Sequence, residues 1–284
     1  MAFRFKNPKR SVAKIGEKEF DLNTMEGMRN YLDEVAERLK KLPMGFRLTA
    51  FSQTIRGYVL DMFDMEVLEK YVLEGAYFDP FSLNADLVYK KVSHHFEHPL
   101  MLLGRFVYDN FSSCRWPTGG VLGAVYDGKF EILSVGSNAP IGEVETGEYF
   151  VPEADKTVGI EMEEHGLVKR AKTCPRKKIP ECTSGKCYGT CRVGCKQYTH
   201  TERAVVLNAG LGRISNIDKA GSETFVVESW PYEGKGDLTL LFFGHWWWCE
   251  PCARALVGAG LKNAIFVSPE IFKTWNWQGE PLEV

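Results

Sequence analysis

Leu238-Thr239-Leu240-Leu241-Phe242-Phe243, then Cys249-Glu250-Pro251-Cys252-Ala253-Arg254-Ala255-Leu256, then Ala264-Ile265-Phe266-Val267 are the stretches that decide the fold. The first and third are short apolar runs that read as buried strands, and the second opens a helix that runs to about Gly260. A further helix is expected from His200 to about Ala209. Helix and strand alternating in this way predict an α/β fold, a mixed sheet with helices on its faces. Outward toward the N-terminus, Val121 to Tyr126 and Phe130 to Val135 flank Asp127-Gly128, a preferred two-residue turn, and read as a β-hairpin.

The first hundred residues read as helical. Asn23 followed by Glu26 can cap a helix whose apolar positions Met25, Met28, Leu32, Val35, Leu39 and Leu42 recur at three and four, with Pro43 and Gly45 ending it. Further helices are expected from Met65 to Glu74, Leu83 to His95 and Pro99 to Phe111. The organisation expected is a helical N-terminal extension over 1–98 and a main domain over 99–284. That domain is interrupted at 140–199 by a polar insertion rich in Gly, Pro, Lys and Cys, a loop too long to stay ordered unless something holds it. His94, His95 and His98 lie close together but read as ordinary polar surface, since no other ligand type is near.

The chain's 284 residues suffice for a buried core, and 44% hydrophobic with 25% charged residues is ordinary globular usage. No stretch is long and apolar enough to span a bilayer. The basic start Met1-Ala2-Phe3-Arg4-Phe5-Lys6 is followed by no apolar run and cleavage site, so a cytoplasmic location is expected. A net charge of -2 gives no global attraction to a polyanion, which weighs against a nucleic-acid partner. The basic run Lys169 to Lys178 reads as a solvated loop. Eight cysteines without an export signal point to metal binding more than to disulfides.

His200-Thr201-Glu202 with the later Cys249-x-x-Cys252 is the chemically informative pattern. One His and two thiolates leave the fourth tetrahedral position of a zinc ion open for water, the arrangement of a catalytic site. Glu202 need not touch the metal and can move protons to and from the water. His200 and Cys249 both fall at expected helix starts, where the dipole favours thiolate over thiol. The alternative is a closed zinc site with Glu202 as a surface carboxylate.

Taken with Gly136-Ser137-Asn138-Ala139-Pro140-Ile141-Gly142 and Gly260-Leu261-Lys262-Asn263-Ala264-Ile265-Phe266-Val267, these motifs resemble the deoxycytidylate deaminases of the cytidine deaminase superfamily over about 100–268. The resemblance implies a three-layer α/β/α fold of the cytidine-deaminase kind and a homo-oligomer. It also implies hydrolytic deamination of a cytosine nucleotide, dCMP to dUMP and ammonia. His200, Cys249 and Cys252 would hold the catalytic zinc, Glu202 would carry protons from water to ring N3 and to the departing amine, and Asn138 would bond the sugar. Three features depart from the family pattern: Trp248 stands where Pro is usual, Ser137 where Tyr is common, and no clear fifth strand follows Val267.

Trp246, Trp247 and Trp248 suit either an aromatic wall stacked on a base, with Trp248 the candidate substrate contact, or packing into the core. The insertion resembles the family segment that can bind a second, structural zinc. The set favoured is Cys174, Cys187, Cys191 and Cys195, with Cys114 and Cys182 as alternatives; disulfides, an iron–sulfur cluster or unliganded thiols are the other readings. Two competing functions are a deaminase acting on a base within RNA or DNA, and a zinc-stabilised binding protein without catalysis.

Overall fold

The computed structural model describes residues 10–42, 44–63, 87–92, 94–112, 114, 116–138, 149–150, 167–168, 200–217, 223–228, 236–245, 248–268 and 270–271. Five helices among them are α1 (Met25–Leu39), α2 (Met44–Ile55), α3 (Pro99–Phe111), α4 (Thr201–Asn208) and α5 (Glu250–Gly258). The strands are β1 (Val12–Ile15), β2 (Lys18–Asp21), β3 (Val59–Asp61), β4 (Val88–Val92), β5 (Gly119–Tyr126), β6 (Lys129–Ser137), β7 (Tyr149–Phe150), β8 (Leu167–Val168), β9 (Gly212–Ile217), β10 (Glu223–Val227), β11 (Asp237–Phe243) and β12 (Asn263–Val267).

Six strands form one mixed sheet in the order β3-β6-β5-β11-β12-β4. The expected hairpin is its middle: β5 pairs antiparallel with β6, closed by Asp127 and Gly128 at φ 46 and 67, the left-handed values that an Asp-Gly turn supplies. Strand β11 pairs antiparallel with β5 and parallel with β12, so β11, α5 and β12 form a parallel crossover unit.

Alternation along β11 shows how the two faces are filled. Leu241 and Phe243 enter one apolar cluster with residues of α1, α2 and α3, while Leu238, Leu240 and Phe242 enter a second with residues of α4 and α5. Strand β12 divides the same way, Ile265 and Val267 against Ala264 and Phe266. Helices thus cover both faces, an arrangement compatible with three layers α/β/α.

Two expectations for the N-terminal part are corrected. Residues Val88–Val92, inside the stretch read as a helix from Leu83 to His95, are strand β4, paired in parallel with β12. The partner strand overrides the local pattern, because the edge of β12 offers a ladder of unpaired backbone groups that a strand satisfies and a helix does not. The extension is also not purely helical: β1, β2 and β3 lie within it, and β3 pairs with β6 while β4 pairs with β12. Both outer strands of the central sheet therefore come from residues before 99, and the sheet crosses the expected 98/99 boundary.

Helix α1 forms as expected, burying Met28, Leu32, Val35 and Leu39, but Thr24 caps it, accepting from Gly27 N at 3.0 Å. Asn23 instead accepts from Asp61 N at 2.9 Å and ties the helix start to β3. Gly45 does not end α1; it lies within α2. The helix expected from Met65 to Glu74 lies outside the described residues. No described helix is long and apolar enough to cross a membrane.

Candidate metal centre

His200 and Cys249 occupy equivalent places, each the N-cap of its helix with extended backbone and no side-chain cap bond. Neither side chain caps its own helix, so the Nδ1 of one and the Sγ of the other meet between the two helix starts. Cys252 follows one turn into α5, where its N–H and that of Ala253 donate to Cys249 O, each at 3.0 Å. Helices α4 and α5 share the second apolar cluster, which sets their N-termini side by side.

The result is a three-donor group. His200 Nδ1 lies 3.5 Å from Cys249 Sγ and 3.4 Å from Cys252 Sγ, and the two sulfurs are 3.2 Å apart. Tetrahedral zinc bonded to two thiolates and an imidazole sets its donors about 3.6–3.8 Å apart, so a small outward movement suits the ion. Among the described residues this is the group of ligand types that could hold a metal. His94, His95 and His98 form no such group; His98 is instead the N-cap of α3, its Nδ1 accepting from Leu100 N at 3.1 Å.

The two thiols are joined by a hydrogen bond, their sulfurs 3.2 Å apart. Cys249 is pulled down to about 4, chiefly by the hydrogen bond from Cys252 and despite partial burial. Cys252 is pushed well above the usual thiol range by the same bond and by burial. The hydrogen bond with Cys249 also raises His200. A divalent cation held here would replace the thiol protons, and both sulfurs would then bind as thiolates.

Glu202 is buried, 2% exposed, in the first turn of α4. Burial pushes its carboxyl up to about 7, with the nearby His200 opposing and the Cys249 thiolate adding to the rise. A carboxyl of that kind exchanges a proton readily near neutrality, as a general acid/base requires.

Helix α4 can lie close against the hairpin because two facing glycines clear its path. Gly120 and Gly136 are register partners on β5 and β6. A Cβ on Gly136 would meet Val205 N at 2.6 Å, and one on Gly120 would meet the Thr201 methyl at 2.9 Å. Thr201 Oγ1 then lies 2.6 Å from Thr118 Oγ1 at the foot of β5. Nothing in the sequence pairs these threonines, since they are 83 residues apart.

Asn138 is buried, and the bonds it makes hold the segment ahead of β5. Its amide donates to Trp116 O at 2.6 Å, and its Oδ1 accepts from Ser112 Oγ and from Thr118 N. Trp248, the candidate substrate contact, packs in the second apolar cluster: it is 5% exposed, its ring 5.0 Å from Phe266 and 5.6 Å from Tyr89. Cys114 is buried. Cys174, Cys182, Cys187, Cys191 and Cys195 lie outside the described residues, as do Trp246, Trp247 and the basic run.

No protein-family model, curated protein or solved structure matches this chain.

Proposed function

We propose that the chain is a zinc-dependent deaminase of the cytidine deaminase kind, hydrolysing the exocyclic amine of a cytosine nucleotide, dCMP in the first instance. The observation that carries this reading is the convergence of His200 Nδ1, Cys249 Sγ and Cys252 Sγ, all within 4.8 Å, beside a carboxyl that burial holds near neutrality. Three protein donors leave a tetrahedral ion one open position, and a buried acid lies beside it. The hairpin followed by two helix-led metal half-sites supports the reading.

A zinc ion held by the three donors would supply a nucleophilic water at neutral pH. Glu202 would accept one proton of the attacking water and pass it to ring N3, then accept the second from the oxygen added at the amine-bearing carbon and give it to the departing amine, so that the two protons of water end on N3 and on ammonia. Its raised pKa matters because the same group must accept and give a proton in one cycle. Asn138, bonded to Ser112, Trp116 and Thr118, would serve by holding those residues in place beside the start of β5.

The test is product identification with purified protein offered dCMP, dCTP, CMP, deoxycytidine, dAMP and a cytosine-containing oligonucleotide. Conversion of dCMP to dUMP with ammonia supports the reading. Conversion of the oligonucleotide alone replaces it with a polynucleotide deaminase, and turnover of none removes it.

A further inference from the structure

Helix α4 carries a candidate metal ligand at its N-cap and the proposed proton carrier in its first turn, and the N-cap side chain makes no cap bond. Contacts from outside the helix therefore bear on how the turn is held. Thr201, between His200 and Glu202, is fully buried, its methyl against Gly120 and its hydroxyl 2.6 Å from that of Thr118, itself 3% exposed. Thr118 is held independently. Its N–H donates to Asn138 Oδ1 at 3.0 Å, and its carbonyl accepts from Ser137 Oγ at 2.7 Å. Asn138 carries the network on to Trp116 O and Ser112 Oγ, and Ser112 Oγ accepts from Cys114 N.

Apolar packing alone lets a short helix slide or rotate by fractions of an ångström. A hydrogen bond between two buried hydroxyls does not, because separating them leaves both without partners in a site water does not reach. We propose that Thr118 and Thr201 are positioning residues: their contact fixes the rotation and depth of the first turn of α4, holding His200 and Glu202 over Cys249 and Cys252. Through Asn138 the same contact ties that turn to Ser112 and Trp116. Thr201 acts through its neighbours and touches neither metal nor substrate. The inference deepens the proposed function and rests on the metal centre described above.

The experiment uses the full chain loaded with cobalt, the signal being the difference from Cys252→Ala, which lacks the site. Thr118→Val, Thr201→Val, the double variant and Thr201→Ser are compared for cobalt affinity, visible cobalt spectrum and Tm. Either valine variant is expected to bind cobalt about tenfold more weakly, as removal of a group that orients a ligand typically does. Its visible band should shift, the double variant should be no weaker than the worse single one, and Thr201→Ser should restore wild-type behaviour. Where dCMP is turned over, kcat should fall more than KM rises. Valine variants that lower Tm with cobalt affinity and spectrum unchanged would overturn the proposal by making the pair packing alone. Absence of a cobalt signal in the wild type would overturn the metal centre and this proposal together. The predicted cobalt changes without turnover of any nucleotide would uphold the positioning role and count against the deaminase reading.

Discussion

His200 Nδ1 lies 3.5 Å from Cys249 Sγ across 49 residues of sequence, because each residue is the N-cap of its helix and the two helices lie side by side on one face of the sheet. The affinity of the proposed metal site would thereby depend on how two helices pack, and not only on the three donors. A site assembled this way should answer both to loss of a donor and to changes that move α4.

Donor removal is the first case. His200→Ala, Cys249→Ala and Cys252→Ala should each lower bound zinc by about one equivalent relative to wild type, since two donors hold the ion poorly. Metal analysis after dialysis against a weak chelator checks this. Because the difference is read, any metal held elsewhere in the chain does not enter.

Helix displacement is the second. Gly136→Ala places a methyl 2.6 Å from Val205 N, a backbone atom that cannot turn away. Overpacking of this kind typically costs about 1–3 kcal/mol. Denaturant unfolding should show that loss, and zinc affinity should fall with it although no ligand has changed.

Trp248 separates core from pocket. With its ring packed on Phe266 and Tyr89, Trp248→Ala should lose roughly 3–5 kcal/mol of stability. Trp248→Phe should retain most stability and leave KM for the nucleotide unchanged. A raised KM in a fully stable Trp248→Phe protein would return this residue to the binding site.

His98 gives the fold a pH dependence. Burial lowers it to about 4, partly offset by Asp61, and its Nδ1 must stay unprotonated to accept from Leu100 N. Between pH 4 and 6.5 the unfolded chain therefore binds more protons at this residue than the folded one. Its contribution is complete above about pH 6.5 and is lost as pH falls toward 4, an effect on the order of 3 kcal/mol. His98→Asn, which can still cap α3, should flatten that part of the pH profile of unfolding free energy.

Much of this was legible because the signals were local. Asp127-Gly128 between apolar runs marked the hairpin, Pro99 marked the start of α3, and the spacing of His200, Glu202, Cys249 and Cys252 marked the donors. What escaped depended on partners distant in sequence. Val88 to Val92 carries no alternation that separates strand from helix, and it is a strand because β12 stands beside it. Thr118 and Thr201 are unremarkable until the fold brings their hydroxyls together, and Trp248 shows its role only through Tyr89 and Phe266.

The most direct test of the central claim is the rate of dUMP formation from dCMP by wild type and Glu202→Gln at equal, measured zinc content. The amide keeps the size of the carboxyl and loses its proton. The account predicts turnover by the wild type and a loss of at least about a hundredfold in Glu202→Gln with zinc retained. Equal rates in the two proteins, or no dUMP from a zinc-loaded wild type, would contradict it.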